Sequence, residues 1–251
     1  MWFEHDGNRI YYEEEGSGDP VLLLPGFSVS IEDLQGVRQA LVRQFRVIAA
    51  DLPGSGRSGP QPRTYPSTYY QDDEQSFLAL LEETAAGPAH VVGFSDGGEH
   101  ALVMAELRPA AVRSVVTWGA GGTLATPPEM VAAMAEIIDN PLPPLKAYSD
   151  FLRTTYGEEN ARAMTRNAAR AWGAIQAAGG DISRKRAGEI ACPSLLITGE
   201  HDVLASPATA AEMAGAIPGG EFIEVKGASH GVHHEQPEWL ATTIVDWLAL
   251  H

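Results

Sequence analysis

Apolar residues along this chain gather in short solid blocks, and between the blocks apolar and polar positions recur at helical spacing. Val21–Leu24, Val47–Ala50, His90–Phe94, Val112–Trp118, Leu195–Thr198 and Phe222–Val225 are the blocks. Runs of this kind predict strands buried on both faces. Pro25-Gly26 closes the first, and Asp51-Leu52-Pro53-Gly54 follows the second. Ile10-Tyr11-Tyr12 is β-prone and, past three acids, meets Gly16-Ser17-Gly18, which reads as a strand running into a turn. Helical patterns span about Tyr69 to Ala85, where Phe77, Leu78, Leu80 and Leu81 stand among acids, and Gly97–Leu107, stopped by Arg108-Pro109. Two more cover Ala208–Ile217 and Pro237–Leu248. Strands alternating with helices in this way predict an α/β fold: a mostly parallel sheet flanked by helices. Residues 122–188 break the rhythm, holding Met, Ala, Tyr and Trp at helical spacing with no strand-like block. The expectation is one α/β core, 1–121 and 189–251, carrying an all-helical lid over the carboxyl ends of its strands. No linker or internal repeat is apparent.

Composition narrows the class of partner. The 251 residues carry 17 Lys+Arg against 33 Asp+Glu, a formal charge of −16. Such a surface repels the phosphates of nucleic acid. A lone Cys192, set before Pro193 where it reads as inert packing, permits no intramolecular disulfide and no zinc–thiolate cluster. No run of eighteen apolar residues exists to cross a membrane. Met1-Trp2-Phe3-Glu4-His5-Asp6 is acidic and soon polar, unlike a signal peptide. A cytoplasmic protein with no membrane partner is expected; the oligomeric state is not legible.

The chemistry concentrates in three strings. Gly93-Phe94-Ser95-Asp96-Gly97-Gly98 follows a strand and opens a helix, the setting of a nucleophile elbow. Its glycines permit a sharp turn that leaves the Ser95 hydroxyl alone above the sheet. The helix beneath offers free N–H groups to a developing oxyanion. A serine nucleophile needs a base, and the base an orienting acid, in the order acid then histidine in such folds. Asp202, in Gly199-Glu200-His201-Asp202, and His230, in Gly227-Ala228-Ser229-His230, follow two later strands in that order. Glu200 is the competing acid. The backbone N–H groups of Phe27 and Asp96 are the expected oxyanion donors. His230, His233 and His234 form H-x-x-H-H, but no third ligand is visible in the spacing, so loop packing is expected and no metal. Gly54-Ser55-Gly56-Arg57-Ser58-Gly59 spells a dinucleotide fingerprint, yet Pro60-Gln61-Pro62 prevents the helix that motif requires. With no phosphate loop elsewhere, no cofactor is expected.

These strings resemble the α/β-hydrolase superfamily, and more closely its biphenyl hydrolase-like (valacyclovirase) group. Leu22-Leu23-Leu24-Pro25-Gly26, Asp51 with Gly54-Ser55-Gly56-Arg57-Ser58, the Ser95 elbow, Trp118-Gly119-Ala120, Cys192-Pro193 and the Asp202 and His230 strings carry the likeness, which is weak between Gly122 and Gly188. The resemblance implies that Asp96 binds the α-ammonium of an amino-acid ester. A carboxylate about 4 Å from a cation gains up to about 4 kcal/mol at an effective dielectric near 20, before desolvation; the plainer reading is an acid favoured by the helix dipole. Trp118, Tyr148, Phe151 and Trp172 are expected to line the substrate pocket, the alternative being that they pack the lid against the core. Glu99, one turn past Asp96, reads by default as a solvated helix face; pairing with Arg57 or His100, or reinforcing the negative site, are the alternatives. The expected activity is hydrolysis of a small ester through an acyl-enzyme, and the expected partner is that small-molecule substrate, a cation where Asp96 binds an ammonium. A neutral carboxylesterase or lactonase, a carbon–carbon hydrolase, and a non-hydrolytic enzyme or small-molecule receptor on the same fold stay open.

Overall fold

A computed structural model describes residues 1–85 and 87–251. The six solid blocks form strands β3 (Pro20–Leu24), β4 (Arg46–Ala50), β5 (Ala89–Phe94), β6 (Val112–Trp118), β7 (Ser194–Gly199) and β8 (Gly220–Val225), each within two residues of its expected bounds. Before them come β1 (Trp2–His5) and β2 (Asn8–Gly16). The sheet order is β1-β2-β4-β3-β5-β6-β7-β8. β1 and β2 run antiparallel to each other, β2 runs antiparallel to β4, and every later pairing is parallel.

Side chains alternate across a strand, so a solid apolar run feeds two cores at once. Val21, Leu23, Val47, Ala49 and Val92 face one layer of helices. That layer is α1 (Gln35–Leu41), through Val37 and Leu41, and α8 (Pro237–Leu248), through Leu240, Ile244 and Leu248. Leu22, Leu24, Ile48, Ala50 and Val91 face the other. There α2 (Tyr69–Thr84) contributes Phe77 and Leu80, α3 (Asp96–Leu107) Leu102 and Ala105, and α7 (Pro207–Ala216) Met213. The parallel sheet with helices on both sides is the expected α/β-hydrolase arrangement.

Between β6 and β7 the described chain is helical, with α4 (Pro128–Glu136), α5 (Lys146–Tyr156) and α6 (Glu158–Ala177) joined by short turns. Their apolar faces bury Val131, Leu152, Ala168, Trp172 and Ile175 together with Tyr69, Tyr70 and Val103 of the core, and with partly buried Phe27 and Tyr65. The chain's exit and return are stitched by an isolated bridge between Thr123 and Asp181. The 3-10 turn Arg184–Glu189 already packs with the sheet, since Ala187 is buried in the same cluster as Met213.

Candidate active site

The turn after β5 shows why glycine flanks Ser95. A Cβ on Gly93 would lie 2.2 Å from the Gly97 carbonyl oxygen, and one on Gly97 would lie 2.4 Å from the Leu24 and Pro25 oxygens. Ser95 itself is held at φ 51, ψ −119, a strained conformation for a residue with a side chain. Its N–H donates to the Trp118 carbonyl at 2.9 Å, tying the elbow to the next strand.

The loops after β7 and β8 bring the other two residues to this point. The Ser95 hydroxyl lies 3.0 Å from His230 Nε2, and His230 Nδ1 lies 2.8 Å from Asp202 Oδ2. The second Asp202 oxygen accepts the backbone N–H of Leu204 at 2.8 Å and of Ala205 at 2.9 Å. Both oxygens of the acid are therefore engaged, and the carboxylate is held and fully shielded. Nδ1 then carries the imidazole hydrogen and leaves the Nε2 lone pair toward Ser95. Gly119, at φ +68, has no room for a side chain beside this ring: a Cβ there would meet His230 Cε1 at 2.8 Å. Glu200, the competing acid, is turned outward to the Gly227 N–H and Lys226.

Ser95 and His230 open on a cavity of about 290 Å³. Gly26 and Phe27 of the loop after β3 border it, and Gly26 is packed so closely that a Cβ would come 3.4 Å from that of Ser95. Asp96, Tyr148 and Trp172 line it as expected. Two expected pocket residues do not. Trp118 is buried on the opposite side of Phe94, where its indole N–H donates to His233 Nδ1 at 3.0 Å. Phe151 points outward, 39% exposed, and stacks on the far side of Tyr148. Trp118 pairs in register with Phe94 on the same face of the sheet, so the Phe94 ring, which lines the cavity, stands over it; Phe151, three residues past Tyr148, is rotated off that side of its helix and meets solvent.

Asp96 is buried, and two phenols hold it: Tyr70 donates to Oδ1 at 2.9 Å and Tyr69 to Oδ2 at 3.0 Å. Trp172 donates its indole N–H to the Tyr69 oxygen at 3.0 Å, completing the chain from the helical insertion. Burial pushes the Asp96 carboxyl up to about 6, against the pull of both phenols and His230. Glu99 is not solvated and pairs with neither Arg57 nor His100. It is buried, accepts the N–H groups of Gly121 at 2.9 Å and Gly122 at 3.0 Å, and burial drives its carboxyl up to about 8. The Gly122 carbonyl in turn accepts from Ile182, Ser183 and Arg184, so Glu99 ties both crossings of the insertion to the helix that follows Ser95.

The second histidine pair also has a partner that spacing concealed. Asp33, 200 positions before His233, lies 3.1 Å from His233 Nε2 and 3.2 Å from His234 Nε2. Burial raises the Asp33 carboxyl, and the two imidazoles outweigh it, leaving it lowered. These three groups are close enough to gather an ion. The Trp118 N–H, however, occupies the Nδ1 lone pair of His233, which places the ring hydrogen on Nε2, facing Asp33. The cluster is thus a hydrogen-bonded clasp on the loop that carries His230. Tyr69, Tyr70 and Asp33 all went unread in the sequence because each reaches its partner across the fold; only the Tyr69-Tyr70 pair, two phenols opening a helix, offered a visible mark.

Comparison with known proteins bears on the family and the fold. Residues 21–243 match the Alpha/beta hydrolase family. Serine hydrolase BPHL of Homo sapiens is 28% identical over 209 residues, covering 79% of this chain and 69% of that protein. Its Mus musculus counterpart is 25% identical, covering 91% and 79%. Among solved structures, the enol-lactonase from Burkholderia xenovorans LB400 superposes with a TM-score of 0.77 at 22% identity, covering 99% of this chain and 100% of that one.

Proposed function

The chain belongs to the alpha/beta hydrolase family, and from that premise we propose that it is a serine hydrolase that cleaves small carboxylic esters through an acyl-enzyme, with α-amino-acid esters as its preferred substrates. The observation that carries the first half is the hydrogen-bonded run from Ser95 to His230 to Asp202, at 3.0 and 2.8 Å, opening on the cavity. Ser95 Oγ attacks the ester carbonyl carbon while His230 Nε2 takes its proton. The imidazolium that forms is stabilised and oriented by Asp202. Negative charge on the carbonyl oxygen is received by the N–H groups of Phe27 and Asp96, each such donor being worth about 3 kcal/mol. Collapse expels the alcohol with the proton from His230. Water, activated by the same imidazole, then attacks the acyl-enzyme and releases the acid.

The preference for an α-ammonium rests on Asp96. Its carboxylate borders the cavity next to the nucleophile, and its hydrogen-bond partners are the neutral phenols of Tyr69 and Tyr70. A substrate cation supplies the opposite charge that the site lacks. At about 290 Å³ the cavity sits at the low end of ligand sites, which suits a small acyl group. A neutral ester or lactone is the second reading. It is favoured by the apolar side chains of Leu124, Met130, Met134 and Leu145 that line the remainder.

A panel of aminoacyl, neutral acyl and lactone substrates, assayed with the wild type and Asp96→Ala, tests the two readings together. Asp96→Ala is expected to lose about tenfold or more in kcat/KM on aminoacyl esters and little on neutral ones. Equal losses on both leave the neutral reading standing. Ser95→Ala is expected to abolish labelling by a fluorophosphonate and to lower kcat by about a millionfold; a labelled Ser95→Ala protein contradicts the serine mechanism.

A further inference from the structure

Ser28 follows Phe27 directly and is fully buried, yet it sits at φ +64, in the left-handed region that residues with a side chain avoid. Such a conformation persists only where its surroundings hold it. Every polar group of Ser28 is held. Its N–H donates to Ser55 Oγ at 3.0 Å, its hydroxyl shares a hydrogen bond with the Tyr148 hydroxyl at 2.6 Å, and its carbonyl accepts from the Tyr156 hydroxyl at 2.7 Å. The Tyr156 oxygen also accepts the Gly56 N–H at 2.7 Å. Ser55 and Gly56 belong to the loop after β4, which Asp51 fixes by accepting from Ile31 at 2.7 Å and Arg57 at 2.8 Å. Two of the three grips on Ser28 thus come from one helix of the insertion, α5.

We propose that Tyr148 and Tyr156 are positioning residues for ester hydrolysis: from the inserted helix they lock Ser28 in its left-handed conformation and so aim the adjoining Phe27 N–H at the oxyanion. The proposal rests on the serine-hydrolase reading and deepens it. It makes the docking of α5 a condition for a competent oxyanion hole rather than a mere cover on the cavity. Tyr156 is the sharper probe, because it lies outside the cavity lining and reaches the chemistry only through Ser28. Loss of its hydroxyl frees the Ser28 carbonyl and the Gly56 N–H together, and the left-handed residue relaxes, carrying the donor with it. A donor displaced by about an ångström is enough to lower the rate by ten- to a hundredfold.

The test compares wild type, Tyr156→Phe, Tyr148→Phe and, as a control on the same helix, Thr154→Val, whose lost hydroxyl donates only to the Asp150 carbonyl. Michaelis kinetics on p-nitrophenyl acetate are measured beside the Ki of an aryl trifluoromethyl ketone, which becomes a tetrahedral adduct on Ser95. Tyr156→Phe is expected to lower kcat about tenfold or more with KM within about twofold, and to weaken the ketone by the same factor as kcat/KM. Tyr148→Phe is expected to weaken the ketone likewise, and Thr154→Val to match the wild type, with all four melting within a few degrees of one another. Wild-type kcat and Ki in Tyr156→Phe, or a loss confined to KM, overturns the proposal. A melting temperature that falls together with activity while the ketone Ki holds overturns it too. Fluorophosphonate labelling of wild type but not Ser95→Ala separates this failure from failure of the hydrolase reading; an unlabelled wild type overturns both.

Discussion

Asp96 is a carboxylate sealed among two phenols and held near a histidine, and the fold is less stable for it. Its carboxyl is raised from an ordinary 3.8 to about 6 by burial, so the folded state binds the proton more tightly than the unfolded chain does. The sign follows: the contribution of Asp96 to stability is greatest below about pH 4, falls as pH rises toward 6, and stays low above it. Asp96→Asn is therefore expected to gain up to about 3 kcal/mol at pH 7 and to flatten the pH dependence between 4 and 6 in urea titrations. A matching change is expected in specificity. The ratio of kcat/KM for an aminoacyl ester to that for a neutral ester should rise between pH 5 and 7 as Asp96 ionises, since the ratio cancels titrations common to both substrates. A pH-independent ratio in the wild type, or a ratio unchanged in Asp96→Asn, would remove Asp96 from recognition. The three residues joined by hydrogen bonds at the cavity were legible because Ser95, Asp202 and His230 each stand in a local string at the end of a strand. Ser28, Asp33 and Tyr156 were not, because their roles are set by partners 27 to 200 positions away that no local pattern displays.

At the scale of elements, β3 to β8 were readable because burial on both faces demands unbroken apolar runs. β1 was missed since only Phe3 of its four residues is buried. Its mark is the turn instead: Asp6 at φ 47 and Gly7 at φ 81 form the Asp-Gly pair that suits a two-residue hairpin. α1 was missed although Ile31, Leu34, Val37 and Leu41 recur at a helical interval, because Gly36 and a 3-10 turn interrupt the pattern. Glu99 shows the opposite failure, a charged residue that a helix-face reading sends to solvent and the fold buries as an acceptor. Removing it strands two backbone donors where the insertion leaves the core. Glu99→Ala should cost about 2 to 4 kcal/mol in urea unfolding, by the usual penalty for buried unpaired groups, and should speed cleavage within 123–182 in limited proteolysis. Glu99→Gln, which keeps a carbonyl oxygen for the Gly121 and Gly122 N–H groups and sheds the cost of ionising a buried acid, should be at least as stable as wild type at pH 7. Equal losses in the two variants would show that charge, not the acceptor, is what the site needs.

Across the whole molecule, 33 acids against 17 bases set a negative field around a cavity that Asp96 borders. Attraction of this kind acts over a Debye length and is screened by salt. Raising sodium chloride from 10 to 500 mM should lower kcat/KM for a cationic ester about two- to fivefold and leave a neutral ester unchanged; parallel responses would assign the field to solubility alone. Among the described residues no helix is long and apolar enough to cross a membrane. Ser95 and His230 are also unevenly anchored. Ser95 follows β5, a wholly buried strand with another on each side, whereas His230 follows β8, the last strand of the sheet, hydrogen-bonded to β7 alone and half in water. A margin of this sort frays at lower cost than the centre. His230 should thus part from Ser95 before the sheet melts: in a urea series, hydrolysis should vanish at a lower concentration than the far-ultraviolet signal, while the strand that leads into Ser95 is still intact.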